Sequence, residues 1–173
     1  MKDLSAYIRD VPDFPKKGIL FKDITPLIGT PEAFAESVRQ LAARAERPDA
    51  VVAIESRGFI FGAPLAQHWN VPFVPARKFG KLPGRTVRQV YSLEYGEDTL
   101  ELHADALKPG WRVVVVDDLL ATGGTAGATV GLVEQLGARV SAALFAVELV
   151  GLGGRAKLAP TRVEALMAFT VHE

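Results

Sequence analysis

Residues 113–125 read VVVVDDLLATGGT: an apolar run, two adjacent acids (Asp117 and Asp118), then a loop of Ala121, Thr122, Gly123, Gly124 and Thr125. Carboxylates at a core boundary are costly unless something meets them. A small-residue loop opening a helix leaves backbone N–H groups at the positive end of its dipole, which suits an anion. Thr122 and Thr125 add hydroxyl donors, and the glycines let an anion approach the backbone closely. Carboxylates beside such a cradle accept hydrogen bonds from vicinal hydroxyls. Together they fit a ribose 5-phosphate, with phosphate in the loop and the 2- and 3-hydroxyls on the acids. Taken singly, Asp117 and Asp118 end a strand and cap a turn, and Gly123 with Gly124 makes only a turn.

Other phosphate and carboxylate chemistries fit less well. No Lys-Ser/Thr follows the glycines, and their spacing is not G-x-G-x-x-G, so neither the Walker A loop nor the dinucleotide fingerprint applies. Adjacent acids do not suit a glycosidase, whose carboxyls stand about 5–5.5 or 6.5–9.5 Å apart across the bond. The absence of cysteine excludes disulfides, thiolate metal sites and a Cys nucleophile. His68, His103 and His172 lack metal-like spacing and receive no role.

A second charged group follows other strand ends. Arg57 comes just after the apolar AVVAI, and its guanidinium fork suits bidentate phosphate contact. Residues 77–90, RKFGKLPGRTVRQV, hold five basic residues and no acid, with Gly80, Pro83 and Gly84 as hinges. This stretch reads as an exposed, mobile loop suited to closing as a lid.

The elements that carry these residues alternate in type. Residues 1–29 read as irregular, punctuated by Pro12, Pro15, Gly18 and Pro26. Thr30 as N-cap with Pro31 and Glu32 behind it starts a helix with one apolar stripe, Val38, Leu41, Ala42 and Ala45. Short apolar strands follow at 50–54, 71–76 and 113–116, with helices at about 59–69 and 124–136. YSLEY and TLELH pair as a hairpin around Gly96, and VSAALFAVEL and VEALMAF supply the last strands before and after basic GGRAKL. Unbroken apolar strands alternating with helices predict a mostly parallel sheet covered on both faces. Ligands of such sheets bind beyond the strands' carboxyl ends, which places the chemistry after Ile54, Ala76, Val116 and Val147.

Length and composition bound the rest. The 173 residues suit one domain, and 49% hydrophobic with 23% charged is ordinary for a globular chain. Twenty basic and 20 acidic residues balance, so no global field argues for a nucleic-acid or membrane partner. MKDLSAYIRD has no apolar signal core and no run reaches membrane-spanning length, which reads as cytoplasmic.

The apolar strand, paired acids and LLATGGT resemble the phosphoribosyl diphosphate motif of type I phosphoribosyltransferases. GILFKDITPL, ESRGFIFG, RKFGKLPG and YSLEYG, in this order, extend the resemblance over almost the whole chain to the adenine-using branch. It implies a Rossmann-like α/β domain over residues 1–173, with a hood at 1–30 and a lid loop and hairpin at 77–96. The implied reaction joins adenine to phosphoribosyl diphosphate, giving AMP and diphosphate, with Mg²⁺ held mainly by substrate and water rather than by protein ligands. The resemblance assigns diphosphate to Ser56, Arg57, Arg77, Lys78 and Lys81, and implies a cis peptide between Glu55 and Ser56. Glu94 becomes proton acceptor or electrostatic stabiliser at the reacting nitrogen. Leu20, Phe21, Lys22 and Leu149 become the adenine contacts, with Phe21 stacking on the base. A homodimer, with lid residues shared between subunits, is implied in the same way.

Two rivals remain at this level. A regulatory protein could sense phosphoribosyl diphosphate with the same acids and loop, but it has no need of the lid and the Glu94 stretch. A hypoxanthine or xanthine phosphoribosyltransferase would differ in backbone contacts to the base, which residue types do not reveal.

Overall fold

The computed structural model describes residues 2–93 and 95–171. The chain forms two compact units, Met1–Gln40 and Leu41–Glu173.

The first unit is more ordered than its prolines suggest. Strands β1 (Arg9–Pro12) and β2 (Leu20–Asp23) pair antiparallel, in register from Arg9 opposite Asp23 to Pro12 opposite Leu20. Pro12 is tolerated because it closes an edge strand. Phe14 packs edge-on against Phe21 with centroids 5.1 Å apart, and Lys22 Nζ reaches Asp10 at 2.5 Å. The irregular reading of this segment is therefore corrected to a hairpin followed by the short helix α1 (Thr25–Ile28). Helix α2 (Pro31–Ala42) begins where Thr30 and Pro31 predict.

The second unit is a seven-stranded sheet. Its strands are β3 (Ala50–Ile54), β4 (Phe73–Lys78), β5 (Thr86–Leu93), β6 (Gly96–His103), β7 (Arg112–Leu120), β8 (Arg139–Val150) and β9 (Val163–Thr170). They lie in the order β5-β6-β4-β3-β7-β8-β9. The run from β4 to β9 is parallel, and β6 is antiparallel to both β4 and β5. Helices α3 (Arg57–Trp69), α4 (Gly124–Gln135) and α5 (Gly154–Leu158) connect the parallel strands. All of β3 and Val113 to Val116 of β7 are buried, as unbroken Val and Ala strands must be when both faces are covered. The mostly parallel α/β sheet is the one the apolar runs predict.

Two boundaries differ from the sequence reading. Residues 77–90 are not one loop: Arg77 and Lys78 finish β4 opposite Glu101 and Leu100, and β5 begins at Thr86. Charged residues suit this edge hairpin because one of its faces meets solvent, leaving only 79–85 as the loop. Strand β7 also continues through the acids to Leu120, because the twelve-residue β8 keeps pairing with it, Asp117 opposite Phe145 and Leu120 opposite Glu148.

Candidate functional site

Strand β3 has β4 on one side and β7 on the other, so successive connections leave it in opposite directions. That switch point opens a crevice at the strands' carboxyl ends, where open α/β sheets bind ligands. The β3–β7 ladder stops at Ala53 opposite Val116, making Asp117 the first β7 residue without a β3 partner. Glu55, Ser56 and Arg57 leave the end of β3 beside it.

The acids are held by local geometry. The Asp118 N–H donates to Asp117 Oδ1 at 2.8 Å, and Arg57 Nε donates to Asp118 Oδ2 at 2.6 Å. Burial, and then the charge of Asp118, push the Asp117 carboxyl well above the usual carboxylate range. Burial works against the Arg57 charge, but the bond to Asp118 and its charge more than offset it and raise its pKa. Glycine 58 permits this approach: a Cβ there would lie 2.9 Å from the Val116 carbonyl oxygen and 3.0 Å from Asp117 Oδ1.

The loop behind the acids has the form an anion needs. Gly123 caps α4 at φ +86°, and a Cβ on it would come within 3.0 Å of the Gly154 carbonyl oxygen. Thr122 to Ala126, with Ala121, Asp117, Asp118 and Arg57, line a cleft of about 210 Å³. Helix α4 opens into it, so its first N–H groups face the space left for an anion.

An adjoining cleft of about 480 Å³ is lined by Glu55, Ser56, Arg57, Lys78, Lys81, Tyr91, Asp98, Asp117, Asp118 and Thr125, among others. Of the residues expected at diphosphate, Ser56, Arg57, Lys78 and Lys81 therefore meet the expected sugar-binding acids. The Glu55–Ser56 peptide is cis, as the resemblance implies. Arg77 is not among the lining residues; its Nε turns to Glu55 Oε1 at 3.3 Å. Lys78 Nζ lies 3.3 Å from Asp98 Oδ2, a contact that raises the Lys78 pKa. Asp98 is itself held low, first by the Thr99 N–H and then by Lys78.

The remaining expectations fall elsewhere. Leu20, Phe21 and Lys22 form β2 of the first unit, and Lys22 is engaged by Asp10. Leu149 is half-buried on β8, opposite Phe169. Glu94 lies outside the described residues. Glu55, Tyr91 and Asp98 were missed by sequence reasoning. Alternation along β5 puts Tyr91 and Leu93 on one face, and hairpin register sets Tyr91 opposite Asp98. The signal for the pair lies in YSLEYGEDT, where the strand register sets Tyr91 opposite Asp98. Burial pushes the Tyr91 hydroxyl up, and its side-chain contact with Thr125 offsets only part of that rise.

Comparison with known proteins agrees with this geometry. The family described as "Phosphoribosyl transferase domain" matches residues 28–162. The adenine phosphoribosyltransferase of Carboxydothermus hydrogenoformans is 57% identical over 169 residues, covering 96% of this chain and 99% of the relative. The crystal structure of the Thermoanaerobacter pseudethanolicus adenine phosphoribosyltransferase superposes with a TM-score of 0.92 at 51% identity, covering 96% of this chain and 98% of that one. The Saccharomyces cerevisiae adenine phosphoribosyltransferase, complexed with an imino-altritol bisphosphate and adenine, superposes with a TM-score of 0.89 at 41% identity. It covers 94% of this chain and 96% of that one.

Proposed function

The chain belongs to the phosphoribosyltransferase family, and from that premise we propose that it transfers the 5-phosphoribosyl group from phosphoribosyl diphosphate to adenine, giving AMP and diphosphate. One observation carries the reading: a single crevice gathers Arg57, Lys78 and Lys81 beside Asp117, Asp118 and the loop opening α4. Cations for a leaving diphosphate, acids for ribose hydroxyls and a phosphate cradle stand side by side.

The chain's groups divide the chemistry. The loop from Ala121 to Thr125 receives the 5-phosphate, and Asp117 and Asp118 accept hydrogen bonds from the 2- and 3-hydroxyls. Both contacts fix the anomeric carbon in place, which lowers the entropic part of the barrier. Arg57, Lys78 and Lys81 line the cleft where the departing diphosphate gathers charge, and Arg77 adds to the field from behind Glu55. The adenine nitrogen forms a bond to the anomeric carbon as the carbon–oxygen bond to diphosphate breaks, and the nitrogen's proton is lost. Glu94 is the group assigned to accept or offset that proton. Leu20, Phe21 and Lys22 are assigned to the base on the resemblance of GILFKD. The loop 79–85 closes as a lid, because an oxocarbenium-like centre must be kept from water.

Mg²⁺ would be held mainly by phosphoribosyl diphosphate and water rather than by protein ligands, in keeping with the engagement of Asp118 by Arg57. When bound with the substrate, the ion shields the diphosphate charge. A homodimer and a cytoplasmic setting complete the proposal; no described helix is long and apolar enough to cross a membrane. The test is a panel of adenine, hypoxanthine, guanine, xanthine and orotate, each with phosphoribosyl diphosphate and Mg²⁺. Adenine alone is expected to give nucleotide at a high rate. Nucleotide from hypoxanthine or xanthine in preference to adenine would reassign the base.

A further inference from the structure

Each cation assigned to diphosphate already has a carboxylate. Arg57 is on Asp118 and Lys78 is on Asp98, while Arg77 and Lys81 share Glu55. Glu55 follows β3 directly, and its side chain is only 11% exposed. Its Oε1 accepts the Lys78 N–H at 2.7 Å and lies 3.3 Å from Arg77 Nε. Its Oε2 lies 3.6 Å from Lys81 Nζ. Burial alone would raise this carboxyl; the Lys78 N–H, Lys81 and Arg77 together hold it below the usual range.

Lys81 sits in the loop 79–85, between Gly80 and Gly84, which both adopt positive φ. Glu55 thus ties a loop cation to the end of β3, within the cleft that receives the leaving group. A diphosphate oxygen drawn to Lys81 also meets the Glu55 carboxylate, and like charges brought together repel.

We propose that Glu55 is a resident competitor for the leaving group, a positioning residue that holds Arg77 and Lys81 in place while no diphosphate is present. Diphosphate takes Lys81 from Glu55 on binding, and Glu55 takes it back as the product departs. The competition weakens diphosphate binding, and it keeps the basic loop from trapping the product. This inference rests on the transferase reading of the same crevice.

The experiment measures binding of Mg–diphosphate to the unmodified chain and to Glu55→Gln by calorimetry, without adenine, so that turnover plays no part. Gln keeps an acceptor for the Lys78 N–H and removes the charge. The expected result is about two- to fivefold tighter diphosphate in the variant, the range of a partly exposed ion pair. In steady state, the KM for phosphoribosyl diphosphate falls while product inhibition by diphosphate strengthens. A merely structural role would weaken binding or leave it unchanged, and either result overturns the proposal. Absence of diphosphate binding to the unmodified chain would overturn the transferase reading and this inference with it. Where Glu55→Gln does not fold, Glu55→Asp draws the carboxylate back from Lys81 by about one methylene, and tightening in the same direction is required there too.

Discussion

Arg57 Nε and Asp118 Oδ2 meet at 2.6 Å, although the two residues stand 61 positions apart in the chain. The contact joins the first turn of α3 to the end of β7, so the residue assigned to diphosphate also neutralises one assigned to ribose. Removing Arg57 would leave the Asp118 carboxylate without its cation beside Asp117 and take a cation from the leaving group. Arg57→Ala is expected to lower kcat/KM for phosphoribosyl diphosphate by about 10- to 150-fold, the range of a charged hydrogen bond. Arg57→Lys should recover little, since an ammonium cannot reproduce the planar fork. Steady-state kinetics on both variants check this.

Asp117 predicts a pH dependence of stability. Burial and the neighbouring Asp118 raise its folded pKa above the unfolded value of 3.8. Above that value the unfolded chain gives up the proton more readily than the folded one, so ionisation costs stability as pH rises. Below it both states are protonated and the cost vanishes. Asp117→Asn should therefore melt higher than the unmodified chain near pH 7, by about 2–4 °C for each kcal/mol relieved. The gain should shrink towards zero as pH falls to about 3.8. Thermal melts across this range, with activity lost in parallel, make the measurement.

Much of this was legible beforehand. The apolar runs at 50–54 and 113–116 announced buried parallel strands, and Thr30 with Pro31 announced α2. The acids, the glycine loop and Arg57 were visible because their types are unusual after apolar strands. The hairpin β1–β2 was hidden by Pro12, Pro15 and Gly18, which look like breakers until strand pairing places Pro12 at an edge. Glu55, Tyr91 and Asp98 escaped notice for another reason. Their meaning comes from partners: Lys81 lies 26 residues from Glu55, and Tyr91 sits opposite Asp98 only in the register of β5 and β6.

Gly58 offers a test of the close approach between α3 and β7. Gly58→Ala puts a Cβ 2.9 Å from the Val116 carbonyl oxygen, where backbone must move. Overpacking of this kind costs about 1–3 kcal/mol. Denaturant unfolding should show that loss, and phosphoribosyl diphosphate binding should weaken with it because Asp117 is displaced.

Glu94 carries the chemical step in the proposed mechanism. Glu94→Gln is expected to lower kcat by about 100- to 10,000-fold, as for loss of a proton acceptor, with far less effect on adenine binding. Single-turnover rates and equilibrium adenine binding separate the two. An unchanged kcat removes Glu94 from the mechanism.

The central claim is that the crevice at the β3–β7 switch point transfers phosphoribose to adenine rather than only sensing phosphoribosyl diphosphate. Its most direct test mixes the purified chain with phosphoribosyl diphosphate and Mg²⁺, adds adenine, and follows AMP and diphosphate together. No more than slow release of diphosphate is expected before adenine, and one diphosphate per AMP after it. Tight binding of phosphoribosyl diphosphate with no nucleotide formed from adenine or any other base would contradict that claim.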